Sequence, residues 1–186
     1  MRIVAKKYRN LSLADVLILL KDPIHEFRLL ALLILVDQFR KGNQKKIVAF
    51  YLKHKRCVNN WDLVDTSAPV ILGEYSALDR SLLYVLAKSS SLWDRRIAML
   101  ATFGFIKKKE YKDALALAEF FLSDRHDLMH KAVGWMLREI GKRDILVLES
   151  FLDKHASVMP RTMLRYALEK FDEKKRKKYM GMKPTS

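Results

Sequence analysis

The sequence holds a single cysteine, Cys57, so no disulfide can form within the chain and nothing points to an oxidising compartment. As a nucleophile Cys57 would need a base beside it. No Cys–His arrangement surrounds it, and it reads as an ordinary small side chain near a helix end. Glycine and proline are scarce, at six and four in 186 residues. Strands joined by tight turns use more of both, whereas the dominant Leu, Ala, Ile and Val suit helices. The longest apolar run, Leu29 to Val36, is far short of the roughly 20 residues that cross a bilayer. The N-terminus carries Arg2, Lys6, Lys7 and Arg9, but Asp15 breaks the segment that follows, so no signal peptide is expected. A cytoplasmic location is the expectation. There is no glycine-rich phosphate loop, no cysteine pair and no Gly-x-Ser-x-Gly elbow. His126 and His130 stand four apart, yet no further ligand lies at zinc-like spacing, so no metal site is expected.

What is present is charge. Lys and Arg exceed Asp and Glu by 15, spread along the whole chain, in a composition that is 50% hydrophobic and 31% charged. The apolar half is enough for one soluble globular unit with a sizeable core. The cationic excess repels itself, and a polyanion such as nucleic acid would relieve the repulsion. A merely solubilising surface is the plainer alternative.

Capping residues mark the helices. Ser12 with Asp15 resembles a capping box and opens a short helix from Leu13 to Leu20. Asp22-Pro23 leads into a longer one, from Ile24 to about Lys41, stopped by Gly42. Asn43 is expected to cap the next, to about Lys55. Further helices are expected from Trp61, over Asp79 to Ala87, from Ser91 to Ile106, and over Tyr111 to Leu122. Asp127 to Ile140, Arg143 to His155 and Pro160 to Phe171 complete the set. Residues 1–171 are expected to form a single repeat domain. Residues 172–186 read as a basic tail, a charge run ending in Pro-Thr-Ser that frays.

These helices pair. The second members begin near Pro23, Asn60, Ser91, Asp127 and Pro160, at intervals of roughly 30 to 40 residues. The expected fold is therefore all-α, an α-solenoid of HEAT-like helix pairs, although the repeats share little literal sequence. Second helices of such stacks commonly line the concave face, which would suit the backbone of a rod-like polyanion.

The stretch Asn-Asn-Trp-Asp-Leu-Val-Asp, residues 59–65, is where chemistry is expected. Asn59 or Asn60 is a good N-cap, and Asp62 sits in the first turn, where the helix dipole favours an anion. Trp61 and Asp65 are four apart and project from one face. Pro69 removes the N–H that would bond the carbonyl of Asp65, so the helix is expected to kink or restart after the acid. The plainer account of Asp65 is an ion pair with a neighbouring base. The helical angles sort the other tryptophans. Trp135 faces away from the stripe of Met129, Val133, Met136, Leu137 and Ile140, beside Lys131 and Arg138, as a nucleic-acid contact would. It could equally fill a gap under the next repeat. Trp93 shares its face with Ile97, Leu100 and Gly104 and is expected in the core. Arg96 flanks that face, in a position that would also suit a surface salt bridge.

Four segments together carry a resemblance: residues 59–65, Leu-Trp-Asp-Arg-Arg-Ile-Ala-Met-Leu (92–100), Lys-Ala-Val-Gly-Trp-Met-Leu-Arg-Glu (131–139) and Pro-Arg-Thr-Met-Leu-Arg-Tyr-Ala-Leu-Glu-Lys (160–170). In this order, on four successive helices, they resemble the AlkD-type alkylpurine DNA glycosylases of the DNA alkylation repair family. The match runs from about Leu11 to Phe171. The resemblance implies that Asp65 is the catalytic aspartate and that Trp61 and Trp135 contact the sugar of the lesion. It implies that Arg96 engages the backbone in the active-site cleft and that Arg138 is a further DNA contact. Lys131, on the face of Trp135, joins the expected DNA-binding set. Family members carry additional N-terminal helices, including a Gly-Val-Arg-x-Pro segment. This chain begins at Met1-Arg2-Ile3, past that point, and is expected to lack the aromatic wall and DNA contacts those helices supply.

The implied activity is hydrolysis of the N-glycosidic bond of purines alkylated at N3 or N7 in duplex DNA. Such a base is already cationic and leaves without protonation. What remains is to stabilise an oxocarbenium-like sugar with a carboxylate and indole faces. The lesion is expected to stay stacked rather than flipped, with no cofactor, no metal and no membrane partner, and with the protein acting as a monomer. The alternative is a non-catalytic HEAT module that binds nucleic acid or a protein through the same surface. A third reading is an RNA- or tRNA-binding scaffold.

Overall fold

The computed structural model describes residues 1–182. Among them every regular element is helical: α1 (Arg2–Lys7), α2 (Leu13–Leu20), α3 (His25–Lys41), α4 (Gln44–His54), α5 (Trp61–Ile71), α6 (Ser81–Ala87), α7 (Leu92–Lys107), α8 (Lys112–Phe120), α9 (Asp127–Gly141), α10 (Ile145–His155), α11 (Arg161–Ala167) and α12 (Glu173–Gly181). Short 3-10 turns follow α4 (Lys55–Cys57) and α8 (Phe121–Ser123). The class is the expected one, all-α and solenoid-like, built of helix pairs. The helices group into two compact units, Met1–Gly104 and Phe105 onward. In the first, α3 packs on α1, α2, α4 and α5; in the second, α9 packs on α8, α10 and α11.

The caps behave as their chemistry dictates. Ser12 Oγ accepts from the Asp15 amide at 3.2 Å and donates to its carboxylate at 2.6 Å. Asp22 does not cap α3, nor is Pro23 its first residue: the helix starts at His25 with Ile24 at the N-cap and no side-chain cap bond, and Asp22 instead accepts from the Ile24 amide just before it. Gly42 ends α3 at φ 133°, a value that glycine reaches without a Cβ clash. Asn43 departs from expectation: it sits in the left-handed region at φ 57° and its side chain makes no cap bond. Asn tolerates that conformation, so its use here is conformational.

A repeat signal lies in the first turns. The helices α3, α5, α7 and α9 each carry an acid there: Glu26, Asp62, Asp94 and Asp127. Each follows an aromatic ring: His25, Trp61, Trp93 and His126. The acid is favoured by the positive end of the helix dipole, once per repeat.

Two further expectations are corrected, and one helix is added. Helix α5 does not restart after Asp65 but continues through Pro69 to Ile71. Pro69 and its neighbours Ala68 and Val70 are buried, so packing holds the turn that lost its hydrogen bond. Residues Glu173 to Gly181 do not fray but form α12, because Tyr179 is buried at 2% exposure. Its ring meets Phe171 edge-on at 5.8 Å and its hydroxyl donates to Asp153 at 3.0 Å. The terminal Pro-Thr-Ser lies outside the described residues. Helix α1 was not anticipated; it docks on α3 through Ala5.

Two close approaches bring backbones together, one within each unit. A Cβ on Gly104 would fall 2.0 Å from the carbonyl oxygen of Gly73, so only glycine lets these backbones touch. A Cβ on Gly134 would fall 2.4 Å from the carbonyl oxygen of Met163, which brings α9 and α11 together in the same way.

Candidate active site

Asn60 opens α5 in extended conformation and accepts from the Trp61 amide at 2.7 Å. The Trp61 side chain stays in solvent, at 52% exposure. One turn on, Leu63 and Val64 bury the helix against the core while Asp65, beside them, is partly covered. Helix α7 brings Arg96 alongside. Its Nε donates to Asp65 Oδ1 and a terminal nitrogen donates to Oδ2, both at 2.8 Å. This two-pronged geometry is the strongest form of the pair. The side chains are 5% and 17% exposed, so the guanidinium lies beneath and the carboxylate is the end nearer solvent.

Gly73 and Gly104 stand the same number of positions beyond Asp65 and Arg96. α5 and α7 therefore run side by side in one direction, with backbone contact at one level and the ion pair at the other. Below, Tyr51 and Ser67 share a buried hydrogen bond of 3.0 Å, and burial pushes the Tyr51 phenol well above its usual range. Burial also raises the pKa of Asp65. The Arg96 hydrogen bonds and charge pull it back in part, and the nearby charge of Asp62 adds to the rise.

The ends of both helices are tied. His25 on α3 meets Asp62 at 2.6 Å, and Arg28 donates to Asn59 at 2.7 Å. On α7, Asp94 takes Lys55 from the turn after α4, and Ser89 at 3.0 Å. Trp93 is half-buried, not enclosed as its helical angle suggested. At the first turn of a helix the neighbouring chain has not closed over it, which an angular wheel ignores.

The second unit carries the rest of the expected set on one face of α9. Lys131 pairs with Asp127 at 2.7 Å. Trp135 is half-buried and its indole donates to Glu139 at 3.3 Å. Burial pushes the Glu139 carboxyl up, but Lys142 at 2.6 Å and Arg143 at 2.9 Å outweigh it, and the group sits below its ordinary range. Arg138 is paired with Glu169, and its Nε is buried without an acceptor. Thus Asp65, Trp61 and Arg96 meet in the first unit, and Lys131, Trp135 and Arg138 share a helix in the second.

Arg96 is not in the surface salt bridge that its position would also suit; it is the buried partner of Asp65. Residues the sequence reading passed over include His25 and Arg28, and also Arg165, exposed on α11. The spacing of Arg161 and Arg165, one turn apart, was the available signal. His126 and His130 serve locally, His126 accepting from the Leu128 amide and His130 bonding the Asp124 carbonyl.

These features define an all-α repeat protein with a solvent-side carboxylate on a buried guanidinium, one turn from an open indole. The chain belongs to the DNA alkylation repair enzyme family, whose model matches residues 1–171. A solved structure described as a predicted DNA alkylation repair enzyme from Enterococcus faecalis has the same fold. It is 17% identical, with a TM-score of 0.73, over 91% of this chain and 82% of that one. No curated protein matches the sequence. Membership supports a role in DNA repair, with DNA as the molecule acted on. Among the described residues no helix is long and apolar enough to cross a membrane.

Proposed function

We propose that this protein is a monofunctional DNA glycosylase that hydrolyses the N-glycosidic bond of cationic N3- or N7-alkylated purines in duplex DNA. The observation that carries the reading is the Asp65 carboxylate, clamped at both oxygens by buried Arg96 and set one turn from exposed Trp61. A cationic purine needs no general acid. Its departure leaves positive charge on C1′ and the ring oxygen of the sugar, and the catalyst's task is to meet that charge. The Asp65–Arg96 pair is neutral as a whole, but its negative end is the more open one. A carboxylate held in place beforehand loses little reorganisation energy when the sugar cation develops. It can also orient the attacking water: as the C1′–N bond breaks and the purine leaves neutral, the water oxygen bonds C1′ and its proton passes to the Asp65 carboxylate and on to solvent. An indole face against the sugar adds cation–π stabilisation.

In this reading Arg96 positions Asp65, and Trp61 contacts the sugar. Lys131, Trp135 and Arg138 contact the DNA without reading sequence. The lesion stays stacked, no cofactor takes part, and the protein acts as a monomer in the cytoplasm on nucleoid DNA. The family match over residues 1–171 supports treating the HEAT-like repeats as one working domain. Release of free base from DNA carrying 7-methylguanine or 3-methyladenine tests the proposal. A folded protein that binds such DNA and releases no base would instead be a non-catalytic binding module.

A further inference from the structure

The backbone on both sides of Trp61 is tied down more heavily than its exposed side chain calls for. Arg28 Nη1 donates to Asn59 Oδ1 at 2.7 Å, Asn60 caps the Trp61 amide, and Asp62 Oδ2 meets His25 Nε2 at 2.6 Å. The Arg28 fork also points a nitrogen at His25 Nδ1, at 3.5 Å. A guanidinium only donates, so Nδ1 is the acceptor and Nε2 carries the proton given to Asp62. The His25 ring is thus fixed at both nitrogens by a residue one turn along its own helix and by an acid on α5. His25 and Asp62 are only 30% and 24% exposed in their side chains, whereas Trp61 between the two ties is 52% exposed. About half of that residue's surface stays in solvent, so its own burial contributes little to holding the turn, and the first turn of a helix ordinarily frays.

We propose that His25 is a positioning residue for the reaction: through Asp62 it locks the first turn of α5 and so sets the Trp61 indole and the Asp65 carboxylate in one fixed arrangement. This rests on the glycosylase reading of the site. The tie belongs to a pattern, since α7 has its own first-turn acid, Asp94, held by Lys55 from the preceding pair. On α5 the tie is a histidine, whose flat ring has two directional contacts and less freedom than a lysine. Asp65 sits one turn after Asp62, so rotation or fraying of that turn would move both groups that face the sugar. A misplacement of about 1 Å in such groups costs on the order of a hundredfold in rate.

The test uses the whole chain with two substitutions. His25→Leu removes both ring nitrogens at similar bulk, and His25→Gln restores an amide donor close to where Nε2 lies. Single-turnover base release at saturating 7-methylguanine DNA, melting temperature and the Trp61 indole N–H resonance are measured on each. The expected result is a rate at least about tenfold lower in His25→Leu. Recovery in His25→Gln and an indole signal shifted or broadened only in the Leu variant complete the expectation. A wild-type rate in folded His25→Leu overturns the proposal. So does a rate that tracks melting temperature in both variants with an unchanged indole signal, because His25 would then be structural only. If the wild-type protein releases no base, the glycosylase reading fails separately, and the indole signal alone decides the tie. An indole unmoved by His25→Leu would then dismiss it.

Discussion

Arg96 gives both prongs of its guanidinium to Asp65, at 2.8 Å each, from a side chain only 5% exposed. A buried pair of this kind is costly to break from one side, because the remaining charge has lost both water and partner. Arg96→Ala is therefore expected to destabilise the fold by about 3–5 kcal/mol. It should leave the salt dependence of DNA binding unchanged, since a guanidinium occupied in the core neutralises no phosphate. Denaturant unfolding and binding at two ionic strengths check both parts. A shallower salt slope would return Arg96 to the role of a phosphate contact.

The same pair fixes the sign of the pH dependence. Burial raises the Asp65 pKa above its ordinary 3.8, and only the ionised form can stabilise the sugar cation. Base release is expected to fall as pH drops through that raised value, at a higher pH than an ordinary carboxylate would give. Folding behaves oppositely. A carboxyl whose folded pKa is raised holds its proton more tightly in the native state, so its contribution favours the fold as pH falls through the same window. Rate and the Asp65 contribution to stability should therefore part on mild acidification, which a pH–rate profile and melting curves of the wild type against Asp65→Asn reveal. In Arg96→Ala the acid limb should move to still higher pH.

Gly104 is the hinge on which the pair's alignment depends. An added methyl would sit 2.0 Å from the Gly73 carbonyl oxygen, and backbone cannot yield as a flexible side chain can. Gly104→Ala is expected to cost about 1–3 kcal/mol or more by overpacking, and to lower base release further by pushing α7 away from α5. Urea unfolding together with single-turnover rates on the folded fraction measures the two losses.

How far the sequence discloses this structure depends on the range of the interaction. Ser12–Asp15 and Gly42 act within a few residues, and the helix start and the helix end they mark are where they were expected. Trp61 and Asp65 on one face follow from helical geometry alone. What escapes is set by partners distant in sequence. Nothing local shows that Arg96 turns inward to Asp65, that Tyr179 anchors a helix of five consecutive cations, or that packing carries α5 through Pro69. The half-exposure of Trp93 fails for the same reason, since a helical wheel gives direction but not the depth of the neighbouring chain. The aromatic-acid opening shared by α3, α5, α7 and α9 was legible, but its two-residue length hides it among ordinary helix caps.

Helix α12 is expected to open on its own. Lys174 to Lys178 repel along the helix, and outside Tyr179 its docking includes exposed contacts such as the Lys178–Asp153 pair and the Arg161 bond to the Met180 carbonyl, worth little each. Tyr179→Ala should release residues 173–181 by local unfolding while the rest of the fold stays intact. Hydrogen exchange would show protection lost over that segment with the melting temperature nearly unchanged. A global loss of protection would mean that α12 is integral to the second unit's core.

Asp65→Asn is the substitution that most directly tests the proposed chemistry, and the structure shows how it must be measured. Asparagine keeps the size and one acceptor but loses the charge that would face the sugar cation. The single-turnover rate is expected to fall by orders of magnitude, while DNA affinity holds or rises because an anion has left a phosphate-binding surface. Stability will not stay constant, however. Arg96 would keep only one carbonyl-type acceptor in place of two anionic oxygens, so the melting temperature should drop. A lower melting temperature is thus no evidence that Asp65 is merely structural. The discriminating quantity is the rate at a temperature where the variant is fully folded and fully bound. There, a structural Asp65 would leave the rate near wild type, whereas a catalytic one leaves bound, folded protein that does not release base.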